Sequence, residues 1–306
     1  MRDAFLDKLT QLAAKDKDIV LLTADLGFGV FEAFESKFPR QYFNVGVAEQ
    51  NMTGLAAGLA LEGKKVITYS IGNFPTLRCL EQIRNDACYH DLNITIVASG
   101  GGFSYGSLGM SHHTTEDIAI LRALPAMSVV APGTAWEAGE AIEALINNNG
   151  VGYLRLDKTT ATNIETKFTL GQSIRYKEGK DITLFTTGGI LSDVIQASEL
   201  LQKQGINANV VSMHTVKPID KEVIIASANE TGGIVTIEEH NIDGGLGSAV
   251  AEVCMDNGIM PRVFLRIGLD DKYSSIVGSQ DYLKAYYGIN QIAIVKKVLD
   301  LLSIKN

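Results

Sequence analysis

The feature that most constrains this chain is a series of short apolar segments, each followed by a stretch with helical spacing. "IVLLT" (19–23) is nearly unbroken in its apolar character, as in a strand buried on both faces. "YFNVGV" precedes a helix from about 49, "KVITYS" (65–70) a helix at 77–88, and "NITIVAS" (93–99) a Gly-rich loop with a helix near 115–123. "MSVVAP" (127–132), a helix at 134–147 and "VGYLRL" (151–156) continue the series. An opening helix over 3–15 places Ala4, Phe5, Leu9, Leu12 and Ala13 at helical spacing. Strands alternating with helices predict an α/β fold with a parallel, doubly wound sheet.

From 157 to about 180 the text turns polar and rich in Thr and Lys, as in a linker or a pair of irregular strands. The alternation then restarts with "DITLFTTG", "NANVVSMH", "GGIVTIEE" and "RVFLRIG", separated by helices at 190–204, near 220–228 and at 246–257. A final helix, "NQIAIVKKVLDLL", carries Ile292, Val295, Val298, Leu299 and Leu302 on roughly one face. The expected organisation is two α/β domains, 1–160 and 179–306, joined by a linker over 161–178.

Composition narrows the function classes. A net charge of −8 without a basic stripe argues against nucleic-acid binding, which needs clustered Lys and Arg to displace counterions. Three scattered cysteines, Cys79, Cys88 and Cys254, are too few for a disulfide framework or a zinc site. "MRDAFLDKLTQLAAKDKD" has charges every few positions and does not read as a signal peptide. No apolar stretch reaches the ~18 residues of a spanning helix. A cytoplasmic protein is expected.

In open α/β sheets, ligands sit beyond the carboxyl ends of the strands. Four polar clusters fall there: "ADLGFG" (24–29), "GVAEQN" (46–51), "YSIGNF" (69–74) and "SGGGFSYGSLGMSHH" (99–113). Within the second, Glu49 heads a helix of small residues. By position alone it suits the helix macrodipole, a contribution of about 0.3–1 kcal/mol.

The ordered set "NVGVAEQNMTGLAAGLALEG", "QIRNDACY", "SHHTTEDIAILRALPAMSVVAPG" and "YLRL" resembles the pyrimidine-binding domain of transketolases. "MHTVKPID", "GGIVTIEEHNIDGGLGSAVAE" and "RIGLDD" resemble the C-terminal domain of the same family, so the resemblance spans nearly the whole chain. It implies thiamin diphosphate as cofactor, with Glu49 hydrogen-bonding N1′ of the aminopyrimidine and activating it. It also implies an aromatic face for the ring, which falls on Phe74, with the other usual aromatic position near Ile71 and Tyr69 as a second candidate. His112 matches a substrate-contacting His, and Arg155 an Arg that can bind substrate phosphate. Arg78, Gln82 and His113 are read as solvated, subunit-facing or loop residues.

Half of the expected machinery is missing. Transketolases hold Mg²⁺ and the diphosphate through a Gly-Asp-Gly motif followed by an Asn, and no Gly-Asp-Gly occurs here. The resemblance therefore implies a split enzyme. A separate amino-terminal subunit would supply the diphosphate and metal contacts, in an α2β2 assembly with self-association of this chain, which would be inactive alone. Transfer of a two-carbon ketol unit from a ketose to an aldehyde or ketone sugar is the expected reaction. The alternatives are the β subunit of a 2-oxo acid dehydrogenase and a non-catalytic regulatory paralogue.

The substrate loop departs from the family. Gly100 stands where a His is usual, and Ser107 and Leu108 where an acidic pair is usual; Gly29 replaces a common phosphate-binding Ser. Phe103, Tyr105 and Leu108 suggest a less phosphorylated or more apolar acceptor. In the second domain, Glu238, Glu239 and His240 are expected to be structural, and "GGLGS" a close-packed turn into a helix.

Overall fold

The computed structural model describes residues 1–231 and 233–303. Two sheets organise them. The first contains β1 (Ile19–Thr23), β2 (Tyr42–Asn44), β3 (Lys65–Ile71), β4 (Ile94–Ser99), β5 (Met127–Val130), β6 (Val151–Leu156) and β10 (Thr215–Lys217), in the order β10-β5-β6-β4-β3-β1-β2. The second contains β7 (Ile174–Lys177), β8 (Ile182–Thr187), β9 (Ala208–Ser212), β11 (Gly233–Asn241) and β12 (Val263–Leu269), in the order β12-β11-β8-β9-β7. Each sheet is parallel except for one antiparallel edge strand, β10 in the first and β7 in the second.

Helices cover both faces of both sheets. In the first domain these are α1 (Arg2–Ala13), α2 (Glu32–Lys37), α3 (Glu49–Leu61), α4 (Leu80–Gln82), α5 (Asp117–Arg122) and α6 (Ala135–Asn147). The second adds α7 (Leu191–Gln202), α8 (Lys221–Glu230), α9 (Leu246–Asp256), α10 (Gln280–Tyr286) and α11 (Gln291–Ser303). β1 shows why its sequence is apolar throughout. Val20 and Leu22 pack with Met52 and Ala56 of α3 on one face, whereas Ile19 and Leu21 pack with Phe5 and Leu9 of α1 on the other. Residue parity thus assigns each side chain of this central strand to one of two cores. The expected helix at 77–88 forms unevenly: a 3₁₀ turn (Leu77–Cys79), one α turn (α4), then a wide π turn (Ile83–Cys88).

The segment expected as a linker contains β7, which pairs with β9 of the second sheet. β10, by contrast, leaves its domain. It belongs in sequence to the second domain, yet it pairs with β5 and closes the edge of the first sheet. This crossing ties the second domain to the first sheet through backbone hydrogen bonds. No helix among the described residues is long and apolar enough to cross a membrane.

Candidate active site

The turn from β2 into α3 places Glu49. Asn44 Oδ1 accepts from the backbone N–H of Asp25 (2.9 Å) and of Gly46 (3.0 Å), which folds the chain back beside β1. Gly46 adopts φ +75°, the left-handed region in which a Cβ is strained. α3 then begins without a side-chain cap, with Glu49 in its first turn. Although a helix-start carboxylate is ordinarily solvated, Glu49 is only 3% exposed.

The helical segment at 77–88 brings Glu49 its partner. Arg78 Nη1 donates to Glu49 Oε2 at 2.7 Å, and the same guanidinium lies 4.6 Å over the Phe74 ring. Phe74 meets His112 edge-on, with centroids 5.2 Å apart. Glu49, Arg78, Phe74 and His112 thus form one continuous cluster drawn from three separate chain segments. It lies beyond the carboxyl ends of β2, β3 and β4, where the doubly wound topology favours a ligand. Arg78 was not expected in it. Its position four residues after Phe74, across the turn that leads into the 3₁₀ segment, is the signal that could have placed it.

The other expected residues separate. Ile71 ends β3, half-buried, and its carbonyl accepts the Phe74 N–H at 2.9 Å. Tyr69 does not face the cluster. It is 4% exposed and packs between Phe5 and Phe31, at 6.1 and 4.8 Å, in the core on the α1 side of the sheet. That face is opposite to α3, because Tyr69 shares parity with Ile67 rather than with Val66. Burial raises the Tyr69 phenol above its ordinary range. Its expected role beside a cofactor ring is therefore replaced by a core role.

Arg155 also lies away from the cluster. Its Nη1 is 3.4 Å from Asp117 Oδ1, its Nε is 3.2 Å from Asp157 Oδ1, and its Nη2 donates to the Glu239 carbonyl at 2.9 Å. Burial disfavours its charge, but Asp117 and Asp157 outweigh burial and hold the guanidinium protonated. With its donors directed to two buried carboxylates and a backbone oxygen, it does not present itself to a substrate phosphate. Asp117, which the sequence did not single out, also accepts from the Tyr153 hydroxyl at 2.5 Å.

The loop after β4 is pinned at its neck by reciprocal bonds between Gly102 and Thr114, 2.8 and 2.9 Å long. His113 points inward, buried against Phe103 at 5.0 Å, with its Nε2 3.1 Å from the Gly106 carbonyl. That burial lowers its basicity. His112 stays half-buried on the outer side, with Nδ1 3.1 Å from Ser111 Oγ. Lys158 Nζ sits 4.0 Å from the Tyr105 ring. In the second domain, Glu238 accepts from the Leu246 and Gly247 N–H groups at the start of α9, and His240 is buried beside it. Among the described residues, no group of three or more His, Cys, Asp or Glu is arranged to hold a metal ion.

Comparison with known proteins agrees with this architecture. Residues 1–163 match the transketolase pyrimidine-binding domain, and residues 171–294 the transketolase C-terminal domain. The chain is 35% identical over 304 residues to one subunit of the apulose-4-phosphate transketolase of Phocaeicola vulgatus, covering 98% of this chain and 96% of that one. It is 37% identical over 310 residues to the 6-deoxy-6-sulfo-D-fructose transketolase subunit SqwH of a Clostridium species, covering 100% and 95%. A solved structure described as a split-gene transketolase, inactive beta4 tetramer, superposes with a TM-score of 0.91 at 35% identity, covering 100% of this chain and 99% of that one. The chain therefore belongs to the transketolase family. It carries the pyrimidine-binding and C-terminal domains together, the portion that a split transketolase places in a subunit of its own.

Proposed function

We propose that this chain is the β-type subunit of a thiamin-diphosphate-dependent split transketolase. With a separate amino-terminal subunit, it transfers a two-carbon ketol unit from a ketose to an aldehyde or ketone sugar. The observation that carries this reading is the buried Glu49 carboxylate standing beside the half-buried Phe74 ring, with Arg78 bridging them.

These residues fit an aminopyrimidine. A carboxylate shielded from water can share a proton with a ring nitrogen, N1′, and an adjacent aromatic face can stack on the ring for about 0.5–1.5 kcal/mol beyond burial. The Arg78 guanidinium now covers that face, so seating the cofactor displaces it. When bound, thiamin diphosphate supplies the nucleophilic carbon and the electron sink for ketol transfer. His112, next to Phe74 and half-buried, is placed to donate to a substrate oxygen or relay a proton near neutral pH.

Mg²⁺ is assigned to Asp and Asn oxygens of the partner subunit, a ligand type suited to a hard octahedral ion, and the diphosphate would be held through that ion. Val47 and Met110 are 75% and 53% exposed, and each lies two residues from a member of the cluster. Exposed apolar side chains around a site suit burial by another chain, which supports a site completed at a subunit interface. An α2β2 assembly follows, with β–β contacts of the kind named for the solved beta4 neighbour. A cytoplasmic location belongs to the same reading. The commitment of Arg155 to Asp117 and Asp157, with Leu108 54% exposed on the loop, supports an acceptor held less by phosphate contacts to this chain. The names of the relatives, one for apulose 4-phosphate and one for a sulfo-sugar, agree on ketol transfer rather than on one sugar. They also support transketolase over a 2-oxo acid dehydrogenase.

Calorimetry with thiamin diphosphate and Mg²⁺ tests the division of labour. The reading expects saturable binding when this chain is mixed with its amino-terminal partner, and none with this chain alone. Tight binding by the isolated chain would overturn it.

A further inference from the structure

The C-terminal domain touches the substrate loop at both of its feet, through residues at the end of β11. On the incoming side, the Phe103 N–H donates to Glu239 Oε1 at 2.6 Å. On the outgoing side, the Asn241 N–H donates to the Thr115 carbonyl at 2.8 Å. Between these feet, Gly102 and Thr114 close the neck, so β11 holds a ring of chain whose outer side carries His112. Glu239 is itself fixed. It is 2% exposed, and Gln280 Nε2 of α10 donates to both its oxygens, at 3.1 and 2.9 Å.

Gly102 records the same contact, and Gly101 a second close approach beside it. A Cβ on Gly102 would stand 2.6 Å from the Glu239 side chain, and one on Gly101 would stand 1.9 Å from Arg155 Nε and 2.0 Å from Asp157 Oδ1. Only a chain without side chains at 101 and 102 can lie this close to the ion cluster. Within the run "GGG", Gly102 is therefore required by Glu239 of the second domain, and Gly101 by Arg155 and Asp157 of the first. The run need not reflect a loop that has merely lost its family residues.

We propose that Glu239 of the C-terminal domain is a positioning residue for ketol transfer: its carboxylate fixes the foot of the 102–114 loop and thereby holds His112 against Phe74. On this account the C-terminal domain sets active-site geometry in addition to aiding assembly. The proposal takes the reaction from the function proposed above, but the bracing itself is a property of this chain and is testable without turnover.

The experiment compares Glu239→Ala, Glu239→Gln and Gln280→Ala by amide hydrogen exchange of the full chain and by kinetics of the complex with the amino-terminal subunit. In Glu239→Ala, amides 103–106 should exchange at least about tenfold faster while β4 and β11 keep their protection, which marks local release rather than global opening. Its kcat should fall roughly 10- to 100-fold, the scale expected when a contacting group is misplaced by about an ångström, with the affinity for thiamin diphosphate unchanged. Glu239→Gln keeps an oxygen for the Phe103 N–H and should stay within about threefold of wild type on both readouts. Gln280→Ala should shift both in the direction of Glu239→Ala, by less, and it carries the test should Glu239→Ala fold poorly. Unchanged exchange at 103–106 in both truncating variants would overturn the bracing. Locally faster exchange with unchanged kcat would overturn the positioning role. An inactive wild-type complex whose exchange pattern still follows these predictions would count against the transketolase reading and leave the bracing supported.

Discussion

At the scale of the residue, the charged and aromatic positions of the first domain differ in what their burial allows. Glu49 is buried in an ion pair with Arg78, whose own side chain is 46% exposed and can swing away. Arg155 is buried with two acids that are themselves buried and have nowhere to go. Removing one member of such a set leaves an uncompensated charge, typically a loss of about 3–5 kcal/mol. Arg155→Met should therefore lower the stability of the chain by that order, read as a drop in the urea midpoint. A midpoint within error of wild type would show that Arg155 is not the keystone of this cluster. Glu49 and Phe74 could be singled out because each sits at a strand-to-helix turn within a recognisable motif, and the structure sets both against Arg78. Arg155 and Tyr69 were misplaced because a strand buried on both faces conceals which core each parity meets. The family motif could align them in sequence, but it could not say that Phe5 and Phe31 would enclose Tyr69, or that Asp117 and Asp157 would hold Arg155.

At the scale of the element, helix starts in this chain are completed by neighbours as well as by their own residues. α6 has an ordinary cap, with Thr134 accepting from the Glu137 N–H at 3.1 Å. α9 instead borrows the carboxylate of Glu238 from β11, which accepts from Leu246 and Gly247 at 2.7 and 2.8 Å. Burial pushes the Glu238 carboxyl up to about 7, against the pull of those two N–H groups and of Arg155 and Arg266. An acid whose native pKa exceeds its unfolded value binds its proton more tightly when folded. Its stabilising contribution is thus complete at low pH and is lost as pH rises through the native pKa. Between about pH 4.5 and about 7, the wild type should accordingly lose stability relative to Glu238→Gln. Urea midpoints of the two proteins across that range check this, and a constant difference would contradict it. The order of strands and helices was legible from apolar spacing. The uneven turns at 77–88 were not, since they depend on tertiary packing and leave no periodic mark; for the polar stretch around β7, a linker and a pair of irregular strands were equally open readings.

At the scale of the whole molecule, the two sheets are less separate than the alternation of the sequence implies. β10 leaves its own domain to close the first sheet. Tyr176 of β7 donates to the buried Glu137 of α6 at 2.8 Å, and Arg155 reaches the Glu239 carbonyl across the seam. Sequence could suggest two domains, because each restarts the same pattern. The transfer of β10 to the first sheet was hidden, because "TVK" is too short to carry a pattern of its own. What the assembled molecule offers to the proposed reaction is a shielded carboxylate, an aromatic face and a half-buried imidazole on one rim, beside exposed apolar side chains.

The central claim is that Glu49 activates the cofactor of a two-subunit transketolase. Ketol transfer by the complex of this chain with its amino-terminal partner, saturated with thiamin diphosphate and Mg²⁺, is the most direct test. Glu49→Gln should leave the complex assembled on a sizing column while lowering kcat by at least about 100-fold, as expected when a proton-transfer group worth about 10²–10⁴ is removed. An assembled Glu49→Gln complex with wild-type turnover would contradict the account.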